Sequence, residues 1–356
     1  LEALHVRLGG RLVPFAGWYM PVQYSSILQE HAAVRGKAGI FDISHMGQFF
    51  VDGAQSAAWL NRVLANNIAN LAIGHGQYTF LLNENGGVID DLIAYRTGET
   101  SYFLVVNASM IEEDFFWLAK HQDEGIELRN ESYLWAGMAV QGPVAPAAFA
   151  TVMPGHTLPP RNGFARIATP DGDVIICRTG YTGEDGFEFF SSAETGEIWF
   201  QRFVDAGALP CGLGSRDSLR LEMAYPLNGS DLSPTRTPIE AGLGFFVDLD
   251  KGDFIGRTAL ARQKADGPAE KLTALQYTEK GAPPRAHCGV FSPDGEQIGE
   301  LTSGVPSPSV GQGIGMAYLP TAWTKPGTAV TIDVRGRKFP AVVVKKPFYK
   351  PISTRS

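Results

Sequence analysis

The chain has 356 residues, 44% hydrophobic and 19% charged, with a formal net charge of −7. Such a composition belongs to a globular protein long enough for two or three domains. The mild acidity argues against a general nucleic-acid binder, and no apolar run approaches the ~18 residues of a membrane-spanning helix. Cys177, Cys211 and Cys288 form no CxxC pair, which argues against a disulfide framework or a zinc site and fits a reducing compartment. HExxH and GxxxxGK[ST] motifs are absent, and Gly212-Leu213-Gly214 lacks the third glycine of a dinucleotide fingerprint. The chain opens on Leu1 with no signal-peptide pattern, so a trimmed start is expected.

In chain order, residues 1–45 begin with a short amphipathic segment, then an aromatic-rich, non-periodic stretch. A helix follows over 26–37, with Ser25 or Ser26 as its N-cap, before FDISHMG at 41–47. Residues 48–136 carry the pattern of a compact α+β unit, with helices over 54–64 (Ala57, Leu60, Leu64 inward) and 111–121 (Phe115, Leu118, Ala119 inward). Between them, 77–83 and 86–95 form a hairpin whose turn residues Asn85-Gly86-Gly87 accept positive φ, and 102–107 adds a third strand. Residues 137–240 repeat this grammar. They include a hairpin around 180–186, a helix over 194–206 (Ile198, Phe200, Phe203 inward) and a helix over 216–223. Residues 248–268 form a charged linker with a helix near 257–264. Short strands alternating with Gly/Pro turns over 271–346 signal a small β-barrel or jelly roll.

Residues 86–95 (GGVIDDLIAY) organise the rest. Strand alternation separates Asp90, with Val88, Leu92 and Ala94, from Asp91, with the bulkier Ile89, Ile93 and Tyr95. A carboxylate on the bulkier apolar face needs a charged or hydrogen-bonding partner, either a neighbouring structural group or a cation formed in a reaction. His45 and Met46 precede a strand and read either as a satisfied loop histidine with a core methionine or as residues of a functional site. Asn107 ends an apolar strand, where a capping role is the plain reading. GYTGEDGFE at 180–188 is too glycine-rich for a simple turn, and alternation puts Glu188 opposite Phe187 and Phe189. Arg216 opens its helix, where a cation is disfavoured unless Asp217 or an anionic ligand compensates.

FAGW, MPVQY, FDISHMG, GGVIDDL, GYTGEDGFE, GLGSRDSLRLE and TSGVPSPSVG occur in this order. Together they resemble the aminomethyltransferase (T-protein) family of the glycine cleavage system along essentially the whole chain. The resemblance implies an α+β fold of three domains in a cloverleaf around a central folate cavity, the last a β-barrel or jelly roll. The expected boundaries are 1–47 plus 137–247, 48–136, and 248–356 with the linker. It further implies transfer of an aminomethyl group from the lipoyl arm of the H-protein to tetrahydrofolate, giving 5,10-methylenetetrahydrofolate and ammonia.

By the resemblance Asp91 is the catalytic carboxylate. Glu188 grips the pterin, Tyr181 belongs to the same pocket, and Met46 and Asn107 line the folate cavity. Arg216 meets the ring or the glutamate tail. Phe245 stands where many members carry Trp, keeping a stacking face without the indole N–H. No metal, nucleic acid or membrane is expected, and the compartment is the bacterial cytoplasm or the mitochondrial matrix. Lys338, Lys345, Lys346 and Lys350 form a basic cluster that either docks the lipoylated H-protein or is a solvated face. Relatives of this fold include a folate-dependent demethylase and an iron–sulfur-maintenance protein. The second carries K-G-C-Y-x-G-Q-E, which the loop from Cys177 to Glu184 lacks. A folate-binding relative without catalysis is the non-enzymatic alternative, against which the intact Asp91 argues.

Overall fold

The computed structural model describes residues 1–351, which divide into two compact units. The first comprises Leu1–Leu81, Asp90–Asp217 and Pro351; the second comprises Leu82–Ile89 and Ser218–Lys350. Among the described residues no helix is long and apolar enough to cross a membrane.

The first unit is built on two sheets. In one, the strand order is Phe164–Thr169, Gly172–Cys177, Gly186–Ser192, Trp135–Gln141, Gly39–Asp42 and Leu209–Cys211. All neighbours run antiparallel except the last, which is parallel to Gly39–Asp42. Phe187 and Phe189 point from its centre into a core shared with Trp199, Phe200 and Phe203 of helix Gly196–Asp205. Burying such rings contributes roughly 1.5–3 kcal/mol each. Alternation then turns Glu188 to the opposite face, as the sequence suggests. The inward stripe of that helix differs from expectation by one position: Ile198 is 45% exposed, and Trp199 takes the interior place. The larger ring wins the buried face because it removes more apolar surface from water.

The other sheet has the order His75–Leu82, Val88–Arg96, Ser101–Val106, Gly47–Asp52 and Glu127–Asn130. Helices Ser56–Val63 and Ile111–Lys120 accompany it. Trp59, Leu60 and Leu118 are buried. Ala57 is only half-buried and Ala119, expected inward, is exposed, while Asp114 is buried. Ser26 rather than Ser25 caps helix Ile27–Gly36, its hydroxyl accepting the Gln29 N–H at 3.2 Å. The aromatic-rich stretch near the start is a hairpin, Arg11–Phe15 with Trp18–Gln23. Ala16 and Gly17 at its turn both have positive φ, as a tight two-residue turn demands. Pro14 and Pro21 interrupt the strand pattern in the sequence and hide it.

The second unit holds a closed six-stranded barrel rather than a jelly roll. It is built from Glu270–Tyr277, Gly313–Pro320, Gln297–Pro306, Gly289–Phe291, Ala329–Val334 and Arg337–Val344 in spatial order. The first strand pairs with both Gly313–Pro320 and Arg337–Val344, so no edge is left. Leu275, Leu301, Leu319, Val330, Ile332 and Val343 fill the interior. Beside the barrel, Arg220 pairs with Asp231 at 2.8 Å and donates to the Ser303 hydroxyl at 2.8 Å, all buried.

The tip of the Asp91 hairpin belongs to this unit and is organised by Asn83. Its Oδ1 accepts from the Asn85 and Gly87 N–H groups at 3.0 Å each, and its Nδ2 donates to the Pro234 carbonyl at 2.8 Å. Of the expected turn residues only Gly86 has positive φ, +79°. Gly87 is needed for a different reason: a Cβ there would lie 1.8 Å from the Pro234 oxygen. Gly87→Ala is therefore expected to destabilise the protein by roughly 1–3 kcal/mol in urea unfolding. Gly36→Ala, at a helix end where a Cβ meets nothing within 4 Å, should be neutral or stabilising by up to about 1 kcal/mol. Equal midpoints for the two variants would refute this account of the tip.

Candidate active site

The strand Val88–Arg96 carries two adjacent carboxylates to opposite faces. The two faces differ in exposure, although Ile89 and Tyr95 on the Asp91 face are buried. Asp90 is fully buried with Leu92 and Ala94, whereas Asp91 and Ile93 are half-buried. Helix Ile111–Lys120 contributes the buried Asp114, neither of whose carboxyl oxygens has a hydrogen-bond partner among the described residues.

Asn107, at the end of Ser101–Val106, holds both strand aspartates. Its backbone N–H donates to Asp90 Oδ2 at 3.0 Å. Its Nδ2 lies 2.8 Å from Asp90 Oδ1, 2.9 Å from the Asp91 carbonyl and 3.0 Å from Asp91 Oδ1. An amide nitrogen has only two hydrogens, so one is shared between acceptors. The side chain makes no cap bond to the short helical turn Ala108–Met110 that follows, so the simple capping role does not hold. On the other side the Tyr78 hydroxyl donates to Asp91 Oδ2 at 2.7 Å. Each Asp91 oxygen therefore has a fixed donor, and the carboxylate has one orientation.

Burial, followed by the negative charge of Asp90, pushes the Asp91 pKa up to about 7, against the bonds from Tyr78 and Asn107. Asp90 is also raised by burial, with the influence of Asp114 and the bonds from Asn107 opposing. Asp114 is raised by burial and then by the charge of Asp90. Burial and the charge of Asp91 hold the Tyr78 phenol protonated. A carboxyl poised near neutrality can accept a proton and still be negative enough to stabilise a developing cation.

Glu188 is linked to the same strand through its neighbours. Thr179 Oγ1 donates to Glu188 Oε2 at 2.8 Å, and the Tyr95 hydroxyl lies 2.7 Å from Thr179 Oγ1. Since the single Thr179 proton goes to the carboxylate, Tyr95 is the donor in the second bond. Burial raises the Glu188 pKa, opposed by the Thr179 bond and the charge of Arg216. The loop before Glu188 is braced from behind. Arg35 donates to the Thr182 carbonyl at 2.7 Å and to Glu184 at 3.0 Å, and Arg178 forks onto Asp185. Gly180 admits the Gln141 side chain, which a Cβ would meet at 1.9 Å.

Arg216 does not open its helix. Leu213–Glu222 starts earlier and leaves Arg216 within the first turn. The guanidinium lies 4.8 Å from the Tyr181 ring centroid. Burial lowers its pKa, while the charges of Tyr181 and Glu188 support its cationic form. Tyr78 is acted on by both Asp91 and Tyr181. Contacts thus join Asp91 with Asn107 and Tyr78, and Arg216 with Tyr181, while the charges of Arg216 and Glu188 act on each other.

His45 is buried, with Nδ1 unpartnered among the described residues, which corrects the reading of a satisfied loop histidine. Burial and the positive charge of Arg216 pull its pKa down to about 4, with the charge of Asp42 opposing. Met46 beside it is half-buried; its N–H donates to the Ile43 carbonyl at 3.0 Å and its own carbonyl accepts from Gln48 at 2.7 Å. Phe245 belongs to the second unit, in the short turn Gly244–Phe246, and is 75% exposed. Sequence reasoning missed Tyr78, Tyr95, Thr179 and Asp114 as parts of this arrangement. Tyr95 shares the Asp91 face by alternation, which was the available signal. The others arrive from different elements and leave none.

Two family models match the chain: the GCVT N-terminal domain over residues 1–251, and the glycine cleavage T-protein C-terminal barrel domain over residues 271–350. A protein named aminomethyltransferase from Phocaeicola vulgatus is 44% identical, covering 97% of this chain and 98% of that protein. Another of that name from Halalkalibacterium halodurans is 42% identical, covering 98% and 96%. A crystal structure of glycine cleavage system aminomethyltransferase T from Bartonella henselae superposes with a TM-score of 0.92. It is 35% identical and covers 98% of this chain and 97% of its own.

The geometry predicts how the Asp91 carboxyl titrates. Removing one charge-assisted bond with Tyr78→Phe should raise its pKa above about 7 by roughly one unit. Carboxyl ¹³C NMR of labelled protein reads this directly. An unchanged or lower value would show that the Tyr78 hydroxyl does not hold the carboxylate.

Proposed function

The chain belongs to the glycine cleavage T-protein family of aminomethyltransferases, one-carbon transferases, and from that premise we propose its reaction and the residues that carry it. The aminomethyl group arrives on the lipoyl arm of an H-protein and is passed to tetrahydrofolate, with ammonia released. The observation that carries this reading is the Asp91 carboxylate, fixed by Tyr78 and Asn107 and poised near neutrality.

The residues present fit a folate. A pterin edge offers N–H donors to a buried acid, and Glu188 accepts from Thr179 through Oε2, leaving Oε1 for a ligand. The guanidinium of Arg216 over Tyr181 supplies a flat cationic and aromatic wall. The unpartnered Nδ1 of His45 is a further buried polar atom without a protein partner among the described residues. Met46 beside it supplies apolar lining and Asn107 holds the carboxylate. When bound, tetrahydrofolate supplies the nitrogens that take up the one-carbon unit.

Asp91 has two tasks. It faces the positive charge that develops as the transferred carbon loses its amine or thiol partner, an electrostatic role worth most in a site with little water. It also takes up or relays the proton released when the new carbon–nitrogen bond forms, for which a pKa near 7 is well matched. Tyr78 stays protonated and acts as a donor that keeps Asp91 aimed. The rate should therefore rise with pH as Asp91 ionises, levelling above about 7.

The decisive assay follows methylenetetrahydrofolate and ammonia formed from aminomethyl-loaded H-protein. Asp91→Asn should lower kcat by roughly 10²–10³-fold with folate affinity largely kept. Glu188→Gln should mainly weaken folate binding, by about tenfold. A folded wild type that binds folate but transfers nothing would overturn the proposal, and methylated sulfonium or amine donors would then test the demethylase chemistry.

A further inference from the structure

The helix that carries Arg216 is held at its start by an acid remote in sequence, to which the reaction assigns no task. Glu30, in helix Ile27–Gly36, is completely buried. Donors meet both of its oxygens. Oε1 accepts the backbone N–H groups of Tyr24 at 2.7 Å and Ser25 at 3.1 Å. Oε2 accepts the Gly212 N–H at 2.9 Å and the Ser215 hydroxyl at 3.1 Å. The single Ser215 proton is shared with the Gly212 carbonyl, also at 2.9 Å. Gly212 and Ser215 stand at the start of helix Leu213–Glu222.

Two glycines permit this approach. A Cβ on Gly212 would collide with the backbone of Val22, and one on Gly214 would lie 2.6 Å from Ile27 Cδ1. Gly212-Leu213-Gly214, which lacks the third glycine of a dinucleotide fingerprint, therefore serves to seat one helix start against another helix. A positive helix end is ordinarily open to an anion; here the carboxylate of Glu30 fills that place. The same negative charge offsets the unfavourable position of Arg216, a cation in the first turn.

The path from Glu30 to Arg216 is one residue long. Gly212 gives its N–H to Glu30, and its carbonyl accepts the Arg216 N–H at 3.1 Å. The Arg216 guanidinium then reaches the Tyr181 ring, 4.8 Å from its centroid. A ring face fixes a guanidinium less firmly than a bidentate ion pair does, so the helix start sets where it stands.

We propose that Glu30 is a positioning residue for folate binding: it anchors the start of the helix that carries Arg216 and thereby fixes that guanidinium over Tyr181. The proposal rests on the reading of Arg216 and Tyr181 as a wall of the folate site. Glu30 acts only through Arg216.

Glu30→Gln keeps the size of the side chain but turns an NH₂ group towards one of the two donor pairs. Calorimetry of the full-length protein with tetrahydrofolate should show about tenfold weaker binding for E30Q, with kcat at saturating folate changed less than about threefold. R216A should lose at least as much affinity. The double variant E30Q/R216A should lose no more than R216A alone, because residues that act through one another are not additive. In ligand-free protein the Arg216 Nε–H resonance, assigned by its absence in R216A, should shift in E30Q. An E30Q protein with wild-type folate affinity would overturn the proposal, as would losses that multiply in the double variant or an Arg216 resonance that stays in place. Should E30Q fail to fold, Ser215→Ala decides, since it removes one donor to Glu30. It should weaken folate binding about two- to threefold, and unchanged affinity would then overturn the proposal. If R216A itself binds folate as wild type does, the reading of the folate wall fails, while the Arg216 resonance still judges whether Glu30 positions that side chain.

Discussion

One asparagine amide holds the centre of the site. Strand alternation sends the side chains of Asp90 and Asp91 to opposite faces, yet Asn107 reaches oxygens of both, because it stands at the end of the neighbouring strand where its backbone N–H and side chain act together. Two carboxylates so close repel, and burial raises the free energy of each charge. Two devices offset this: the Asn107 bonds and the Tyr78 hydroxyl. The outcome is a division of roles. Asp90 sits deep among apolar neighbours as an anchor, and Asp91, half-buried, is left aimed and titrating near neutrality.

The same strand joins the two sheets of the first unit. Tyr95, four residues from Asp91 and on its face, donates to Thr179, which donates to Glu188. Tyr95 also packs near Phe164 of the six-stranded sheet, and Phe103 of the neighbouring strand lies edge-on to Phe190 at 5.5 Å. Asp91 and Glu188, the acids to which we assign the reaction and the pterin, are therefore both carried on strands within one packed body. Sites on regular elements hold their geometry more closely than sites on loops. The Glu188 loop is long and glycine-rich, but Arg35, Gln141 and the Arg178–Asp185 fork brace it from behind.

Charge balance explains Arg216. Buried cations are lowered in pKa unless anions or aromatic faces meet them. Arg216 has the Tyr181 face and the charge of Glu188. Burial, helped by the positive charge of Arg216, keeps the nearby His45 neutral. Glu188 and Arg216 support each other's charged forms, so neither is independent of the other.

Much of this was legible in the sequence. Period-two patterning and turn residues disclosed the Asp91 hairpin, the Glu188 strand between Phe187 and Phe189, and the short strands of the barrel, because alternation and turn chemistry are local properties. The ordered motifs disclosed the family. Other features were decided only by tertiary structure. Alternation separates Asp90 from Asp91, but which face is dry depends on what packs against it. On the Asp91 face Ile89 and Tyr95 are buried while Asp91 and Ile93 between them are half-buried, a difference that side-chain bulk does not disclose. Asp114 looks like an ordinary first-turn acid until helix packing buries it beside Asp90, and Tyr78, Thr179 and Asn107 reach their partners from elements remote in sequence. Burial and the pKa shifts that follow from it are properties of the surroundings, and surroundings exist only once the chain has folded.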